Sequence, residues 1–560
     1  VSQPFEQSKP RAPRPWPVSA VEAGGWAYAA QYLHSLVQAG TEWAIPGSLL
    51  AAGLAAKNII RGFDDRSKFK EENRKRGRLK ETARKQADAR FATSGEIALA
   101  NLFAPQGIFL GTYRTKRGKL RDLRYDGDCS VNVCGFPGSQ KSLSIALPTI
   151  LLDIGHSRIV NDPSGELYAL SRDWLIRRGH IVKVISPWAS EVQSMLGIPV
   201  EDAGFDFFAD FDPEAAPSSI RSQIMRRSEL LIPGKPQGVA DERSKFFRDH
   251  GRILLECLTL IIAATGKKPT LPMLRRLLME GLAAMEQRFD AATRSDAFGG
   301  VLAELAASLL GTMQQAPEQF AGYFGVAQAA TTIFDHFGEM GEHAAGKTFD
   351  PYTLKDEQPT TAFVIYPNEK SRTHSAGVNL TLSHIFETVA SDPRRKRVTA
   401  IIDEAASCGF LVNYLSALNE YRKYGLRILS LWQDLLGGQT ESIYSRSGTK
   451  QIIAAGEVLV VCGAREPDTL DMLSKATGQV ALEDLSLTDR SRLSDAVPDQ
   501  TMGQSSKTRP LMYADEIRRI PFDQALILAS NLRPIIASKT PYWTRPDWRH
   551  MVGHNPYYKG

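Results

Sequence analysis

The residues best equipped for chemistry lie in Gly135-Phe136-Pro137-Gly138-Ser139-Gln140-Lys141-Ser142. They follow a short apolar run, 131–134, and precede Leu143, Ile145, Ala146 and Leu147, the apolar face of a helix. Strand, glycine-bearing loop, Lys-Ser and helix form the layout of a phosphate-cradling P-loop. In that layout the loop residues Gly135, Gly138, Ser139 and Gln140 turn N–H groups toward phosphate oxygens, and the helix start adds its dipole. Lys141 would neutralise the β- and γ-phosphates, and the Ser142 hydroxyl would sit on Mg2+. The pattern calls for glycine where this chain has Gln140. Glycine there lets the backbone crowd the phosphates and adopt unusual φ and ψ. Gln140 keeps the N–H but adds a side chain in a tight place. A strand–turn–helix corner with a chance Lys-Ser is the chemistry-free alternative.

A second set lies far downstream. Residues 398–402 are mostly apolar and run straight into Asp403 and Glu404. A buried strand delivers its C-terminal residues to the sheet edge that carries the P-loop. Asp403 is then placed to hold Mg2+ with Ser142, and Glu404 to polarise an attacking water. An ordinary strand end with two solvated acids is the plain alternative, which the upstream loop weakens. Gln433 ends the next apolar run, 427–432, and Arg422 precedes that run. A glutamine at a strand tip can sense a γ-phosphate, and an arginine at a subunit edge can reach a neighbour's site. Taken singly, either residue reads as surface.

Positioning these groups takes a sheet. Apolar runs of strand length recur at 131–134, 158–160, 182–185, 361–366, 398–402, 427–432, 458–462 and 525–529. Stretches of helical period lie between several of them. Alternation of this kind predicts an α/β fold whose mainly parallel sheet is covered on both faces. From 213 to 345 no strand is expected. Helical runs such as 246–264 and 272–285 dominate there, so an all-α domain is inserted between early and late strands. The expected division is 1–60 as an N-terminal arm and candidate membrane anchor, 61–90 as a basic juxtamembrane linker, and 91–212 as the first part of the nucleotide-binding domain. The inserted domain takes 213–345, the second part of the nucleotide-binding domain 346–545, and a C-terminal tail 546–560.

The chain has 560 residues, 43% of them hydrophobic and 23% charged, an ordinary globular balance. Its net charge of +6 is local: residues 57–90 hold thirteen Lys/Arg against six Asp/Glu, which leaves the remainder at −1. Such a stripe reads as a solvated helix or linker, as a surface for anionic lipid, or as a contact for nucleic-acid phosphate. Just before it, residues 43–56 carry no charge, with Trp43 at one edge and Lys57 and Arg61 beyond the other. That is shorter than a bilayer span of about 20 residues, and both a membrane-embedded helix and a buried or interfacial helix fit. If the run spans, its basic flank puts the following residues in the cytoplasm. The five cysteines form no C-x-x-C pair, which argues for buried free thiols over zinc or disulfides.

The ordered motifs resemble the coupling ATPases of type IV secretion and bacterial conjugation, the TraG/TraD type. They are Ala89-Arg90-Phe91-Ala92-Thr93, the loop from Gly135 to Ser142, and Ile159-Val160-Asn161-Asp162-Pro163-Ser164-Gly165-Glu166-Leu167-Tyr168. Asp403-Glu404-Ala405-Ala406-Ser407-Cys408-Gly409, Tyr421-Arg422-Lys423-Tyr424-Gly425 and Leu431-Trp432-Gln433 follow, then Asp468-Thr469 and Asp515-Glu516-Ile517-Arg518-Arg519-Ile520-Pro521. The resemblance covers about 90 to 545. It implies a RecA-like motor with an inserted all-α domain and an N-terminal membrane-proximal helical segment. It also implies a homo-hexamer at the bacterial inner membrane, with the motor facing the cytoplasm. ATP and Mg2+ are the implied cofactors. DNA, bound without sequence preference, relaxase or effector proteins, and components of the secretion channel are the implied partners. Lys141, Ser142, Asp403 and Glu404 keep the roles given above; Arg422 matches the trans-acting finger and Gln433 the sensor. Gln140 departs from the pattern. Only one membrane-helix candidate is present where the family usually has two, as expected if a first helix precedes Val1. Two other readings remain open at this stage: a translocase of the same fold acting on chromosomal DNA, and a non-hydrolysing docking receptor with a degenerate P-loop.

Overall fold

A computed structural model of the chain describes residues 16–40, 49–57, 59–60, 70, 74, 89–234, 242–346, 348–371, 373–490 and 499–558. The chain divides into two compact units. One combines Val1–Asp88 with Gln479–Arg509, and the other Ala89–Gly478 with Pro510–Gly560. In the first, Trp16–Gln38 is helical and leaves Tyr28 and Tyr32 exposed. The uncharged run 43–56 and the basic linker lie partly outside the described residues. Among the described residues one helix, Ala297–Gln315, is long and apolar enough to cross a membrane, and it belongs to the second unit.

The strands in chain order are β1 (Ile108–Arg114), β2 (Leu120–Tyr125), β3 (Ser130–Cys134), β4 (Ser157–Asn161), β5 (Ile181–Ile185), β6 (Thr360–Val364), β7 (Val398–Ile402), β8 (Leu426–Trp432) and β9 (Gly456–Val461). They continue with β10 (Gln479–Arg490), β11 (Asp499–Pro510), β12 (Gln524–Ala529) and β13 (Ile535–Ser538). β10 and β11 pair only with each other. The other eleven form one sheet in the order β2-β1-β13-β12-β9-β3-β8-β7-β4-β6-β5. From β9 to β5 all neighbours are parallel, while β12, β13, β1 and β2 extend the sheet by antiparallel pairing.

The parallel centre is buried on both faces, which is why its strands read as continuous apolar runs. In β7, Ala400 and Ile402 join the core on one face and Ile401 the core on the other. The antiparallel extension was not expected from sequence beyond β12. β2 reads Leu-Arg-Asp-Leu-Arg-Tyr because it is an edge strand with its first residues exposed, and β13 has only four residues.

Between β5 and β6 the chain leaves the sheet and builds a helical block. Its main helices are Pro217–Leu231, Glu242–Ala264, Leu271–Met279, Leu282–Ala292, Val301–Gln315 and Pro317–Thr331. Leu254, Leu255 and Leu258 of the second meet the apolar face of the last, Phe320, Tyr323 and Ala327, in a core continuous with one face of the sheet. The single helical run expected over 272–285 is two helices. Thr270 caps the first, its hydroxyl accepting the Met273 N–H at 3.3 Å. Gly281 separates them at φ 90°, a conformation glycine adopts without steric cost.

Candidate functional site

In the parallel part of the sheet every strand ends at the same edge, so one line of strand tips gathers residues far apart in sequence. β3 ends in Cys134 and feeds the loop 135–140. Both neighbouring strands hold its start: the Gly135 N–H donates to the Trp432 carbonyl at 3.0 Å, and the Cys462 N–H to the Cys134 carbonyl at 2.7 Å. A Cβ on Gly135 would run into the Ser139 hydroxyl, which folds back over it. The Ser139 N–H closes the turn onto Phe136 at 3.0 Å. Gln140 then takes φ 64°, the left-handed conformation that the missing glycine would have adopted. The loop keeps its turn and bears the strain of a side chain there.

Helix α1 (Ser142–Leu152) starts immediately after Lys141. Its first turn, Ser142–Ala146, is widened to a π-turn, a feature frequent at functional sites. Lys141 is 6% exposed and makes no hydrogen bond or ion pair with a described residue. Its charge acts on the nearby Asp403 carboxyl, and its donors stay free for an anion in the cradle. The Ser142 hydroxyl donates to Asp403 Oδ1 at 2.7 Å, across 261 positions of sequence. Together these groups fit a nucleotide with Mg2+, Lys141 toward phosphate and the Ser142–Asp403 oxygens toward the metal.

Asp403 is locked from behind: its N–H bonds the Asn161 carbonyl at 3.2 Å, and the Asn161 amide returns to the Asp403 carbonyl at 3.1 Å. Burial pushes its carboxyl up to about 6, against the Ser142 hydrogen bond and the Lys141 charge. Asp162, at the tip of β4, is fully buried and raised to about 7, chiefly by desolvation. Its carboxylate accepts the Tyr168 N–H at 2.8 Å, near the start of helix α2 (Glu166–Arg177). Glu404 sits at φ 53°, half-buried, with its carboxylate unbonded to any described residue. Gln433 lies half-buried at the tip of β8, two strands from β4.

Arg422 is elsewhere. It precedes β8, so it lies at the opposite edge, exposed, with Nη1 3.2 Å from Cys129 Sγ. The seven residues of β8 span roughly 20 Å at about 3.3 Å per residue, beyond the reach of an arginine side chain. Sequence reasoning missed Lys539, whose Nζ donates to the Ser139 carbonyl at 2.9 Å. It follows the short β13, and nothing nearby in sequence marks it.

The family model for type IV secretory system conjugative DNA transfer proteins matches residues 80–557. The chain belongs to this family. It is a coupling protein of the TraG/TraD type. Conjugal transfer protein TraG of Agrobacterium fabrum is 22% identical over 449 residues, 79% of this chain and 65% of that protein. The probable conjugal transfer protein TraG of Sinorhizobium fredii is 22% identical over 448 residues, 78% of this chain and 66% of that protein. The chain thus spans slightly less than two thirds of the length of these relatives. Among solved structures, the bacterial conjugative coupling protein TrwBΔN70 in its unbound form shares 18% identity with a TM-score of 0.57, over 81% of this chain and 92% of that one. TrwB in complex with ADP and Mg2+ shares 17% with a TM-score of 0.55, over 81% and 94%. At such identities the likeness shows a TrwB-like fold for this coupling protein: a RecA-like α/β sheet with a helical domain.

Proposed function

We propose that this coupling protein is an ATP-driven motor of conjugative transfer, which recruits DNA–relaxase complexes or effector proteins and passes them to a type IV secretion channel. The observation that carries the reading is the Ser142–Asp403 hydrogen bond of 2.7 Å beside Lys141, whose ammonium makes no hydrogen bond with a described residue. The ADP and Mg2+ bound by the TrwB structure named above support it. Gly138 and Gln140 offer free N–H groups to phosphate oxygens and Lys141 neutralises them, whereas Gly135 and Ser139, whose N–H groups the Trp432 and Phe136 carbonyls already hold, shape the loop instead of donating to phosphate as the sequence suggested. Ser142 and Asp403 hold Mg2+, which when bound supplies positive charge to phosphate oxygens. Glu404 orients and deprotonates the attacking water, and Gln433 senses the γ-phosphate. Arg422, stranded at the far edge, completes the site of the adjacent subunit in a homo-hexamer. Anchoring at the inner membrane through 1–60, a basic linker over 61–90, a motor split into 91–212 and 346–545 around the insertion 213–345, and a tail over 546–560 complete the proposed organisation. The left-handed Gln140 favours a working cradle over a degenerate one.

The test is DNA-stimulated ATP hydrolysis by the full chain. Glu404→Gln is expected to bind ATP and to turn it over at least about 100-fold more slowly. Ordinary turnover in that variant removes the assigned site. Stronger stimulation by relaxase-bound DNA than by naked DNA is the outcome that distinguishes conjugative delivery from chromosomal translocation.

A further inference from the structure

Lys539 is a second buried lysine at the phosphate loop, behind it where Lys141 is in front. It follows β13, which runs parallel to β9 and β3 and so ends at the same edge. Its side chain is 5% exposed and makes no ion pair with a described carboxylate. Instead Nζ donates to two carbonyls, Ser139 at 2.9 Å and Cys462 at 3.3 Å, and lies 4.2 Å from the centre of the Phe522 ring. An apolar side chain would fill that position without the desolvation cost of an ammonium, so the charge calls for an explanation in what it bonds.

What it bonds is one half of a particular peptide. The Ser139–Gln140 unit is planar and trans, so its C=O and N–H point in opposite directions. Fixing the Ser139 carbonyl on the β13 side turns the Gln140 N–H to the other side, away from β13. No described residue accepts that N–H. The same peptide leads into Gln140 at φ 64°, a conformation costly for a residue with a Cβ. A hydrogen bond from a charged donor is the stronger kind, and here it opposes relaxation of the strained residue.

We propose that Lys539 is a positioning residue for the nucleotide: by holding the Ser139 carbonyl it presents the Gln140 N–H to a phosphate oxygen and maintains the loop where glycine is missing. This rests on the nucleotide reading of the site, and the experiment keeps the two apart. ADP with Mg2+ is the probe, and affinity is measured on the full chain as wild type, Lys141→Ala, Lys539→Met and Lys539→Arg, alongside KM and kcat for ATP. Lys539→Met keeps the apolar stem and loses the ammonium, and with it both carbonyl bonds and the contact with the Phe522 ring. It is expected to weaken ADP about tenfold and to raise KM with kcat retained, while Lys539→Arg restores most of the affinity. In a Gln140→Gly background the loss should shrink, because glycine holds the left-handed turn unaided. If Lys539→Met does not fold, Lys539→Leu, which also lacks a donor, replaces it with the same expectation. Wild-type affinity in the Lys539 variant, beside a lost affinity in Lys141→Ala, overturns this inference alone. An equal loss with and without the Gln140→Gly substitution also overturns it, since the lysine would then not act through residue 140. No ADP binding by the wild type overturns the nucleotide reading itself.

Discussion

At the amino edge of the sheet, Asp153 accepts Arg427 Nη2 at 2.7 Å and His156 Nδ1 at 2.8 Å. Arg158 gives its guanidinium to the carbonyls of Ile150, Asp153 and His156. Arg427 also reaches Thr399 at 2.8 Å and the Gly127 carbonyl at 3.2 Å. At the carboxyl edge Lys141 is almost as deeply buried and bonds nothing described. The same sheet thus holds one cluster of buried charge that is closed on itself and another that is left open. Burial alone would raise the Asp153 carboxyl, yet the His156 hydrogen bond and the two arginines hold it well below its ordinary range. At the open edge burial wins, and Asp403 is pushed up to about 6. Closed charge serves the fold, because every ion already has its partner. Open charge keeps its donors and acceptors free for a ligand, and marks a site.

The largest effect is expected from Lys141→Ala, which should abolish nucleotide binding and turnover while leaving the fold intact, since it removes a phosphate contact and little packing. Binding at wild-type strength would break the contrast at its open end. Arg422→Ala should leave nucleotide affinity nearly unchanged and cut turnover by about 10³-fold in the assembled ring. Mixing it with Lys141→Ala should restore activity at interfaces where an intact loop faces an intact Arg422; mixed rings that form and stay inactive would place the arginine's role within its own subunit or remove it. Asp153→Ala opens the closed cluster and should cost about 3–5 kcal/mol of stability, read from denaturant midpoints. Because the folded Asp153 carboxyl titrates below its ordinary 3.8, its contribution is present above that pH and lost as pH falls through the lower folded value. The gap between wild type and variant should therefore be full near neutrality and narrow in acid. Gln140→Gly should have the smallest effect, preserving or slightly raising nucleotide affinity; a large loss would make the glutamine an adapted contact.

The open edge was far more legible in the sequence than the closed one. Gly135 to Ser142 must be contiguous to wrap a phosphate, and Asp403-Glu404 must end a buried strand, so both leave compact patterns. Arg422 and Gln433, which singly read as surface, were singled out by their place around an apolar run and matched to roles by the family resemblance. Lys539 left no pattern because its partner Ser139 is 400 positions away. The Arg158–Asp153–Arg427 cluster was equally hidden, since two of its members are single charges within apolar strands that read as strand ends. Burial on both faces made β3, β4 and β6 to β8 readable as apolar runs, and β9 and the edge strand β5 were readable from their buried ends, whereas β1, β2 and β13 mix polar residues or are too short.

Thermal unfolding of wild type, Lys141→Ala and Asp153→Ala, each with and without ADP and Mg2+, tests the contrast most directly. A ligand that binds only the folded state raises Tm by mass action. The wild type should gain stability from nucleotide, Lys141→Ala should match its unliganded Tm and gain none, and Asp153→Ala should start lower and keep the nucleotide-induced rise. A rise in Lys141→Ala equal to that of the wild type, or its loss in an Asp153→Ala protein that is still folded, would contradict the division of the sheet into a closed structural edge and an open nucleotide edge.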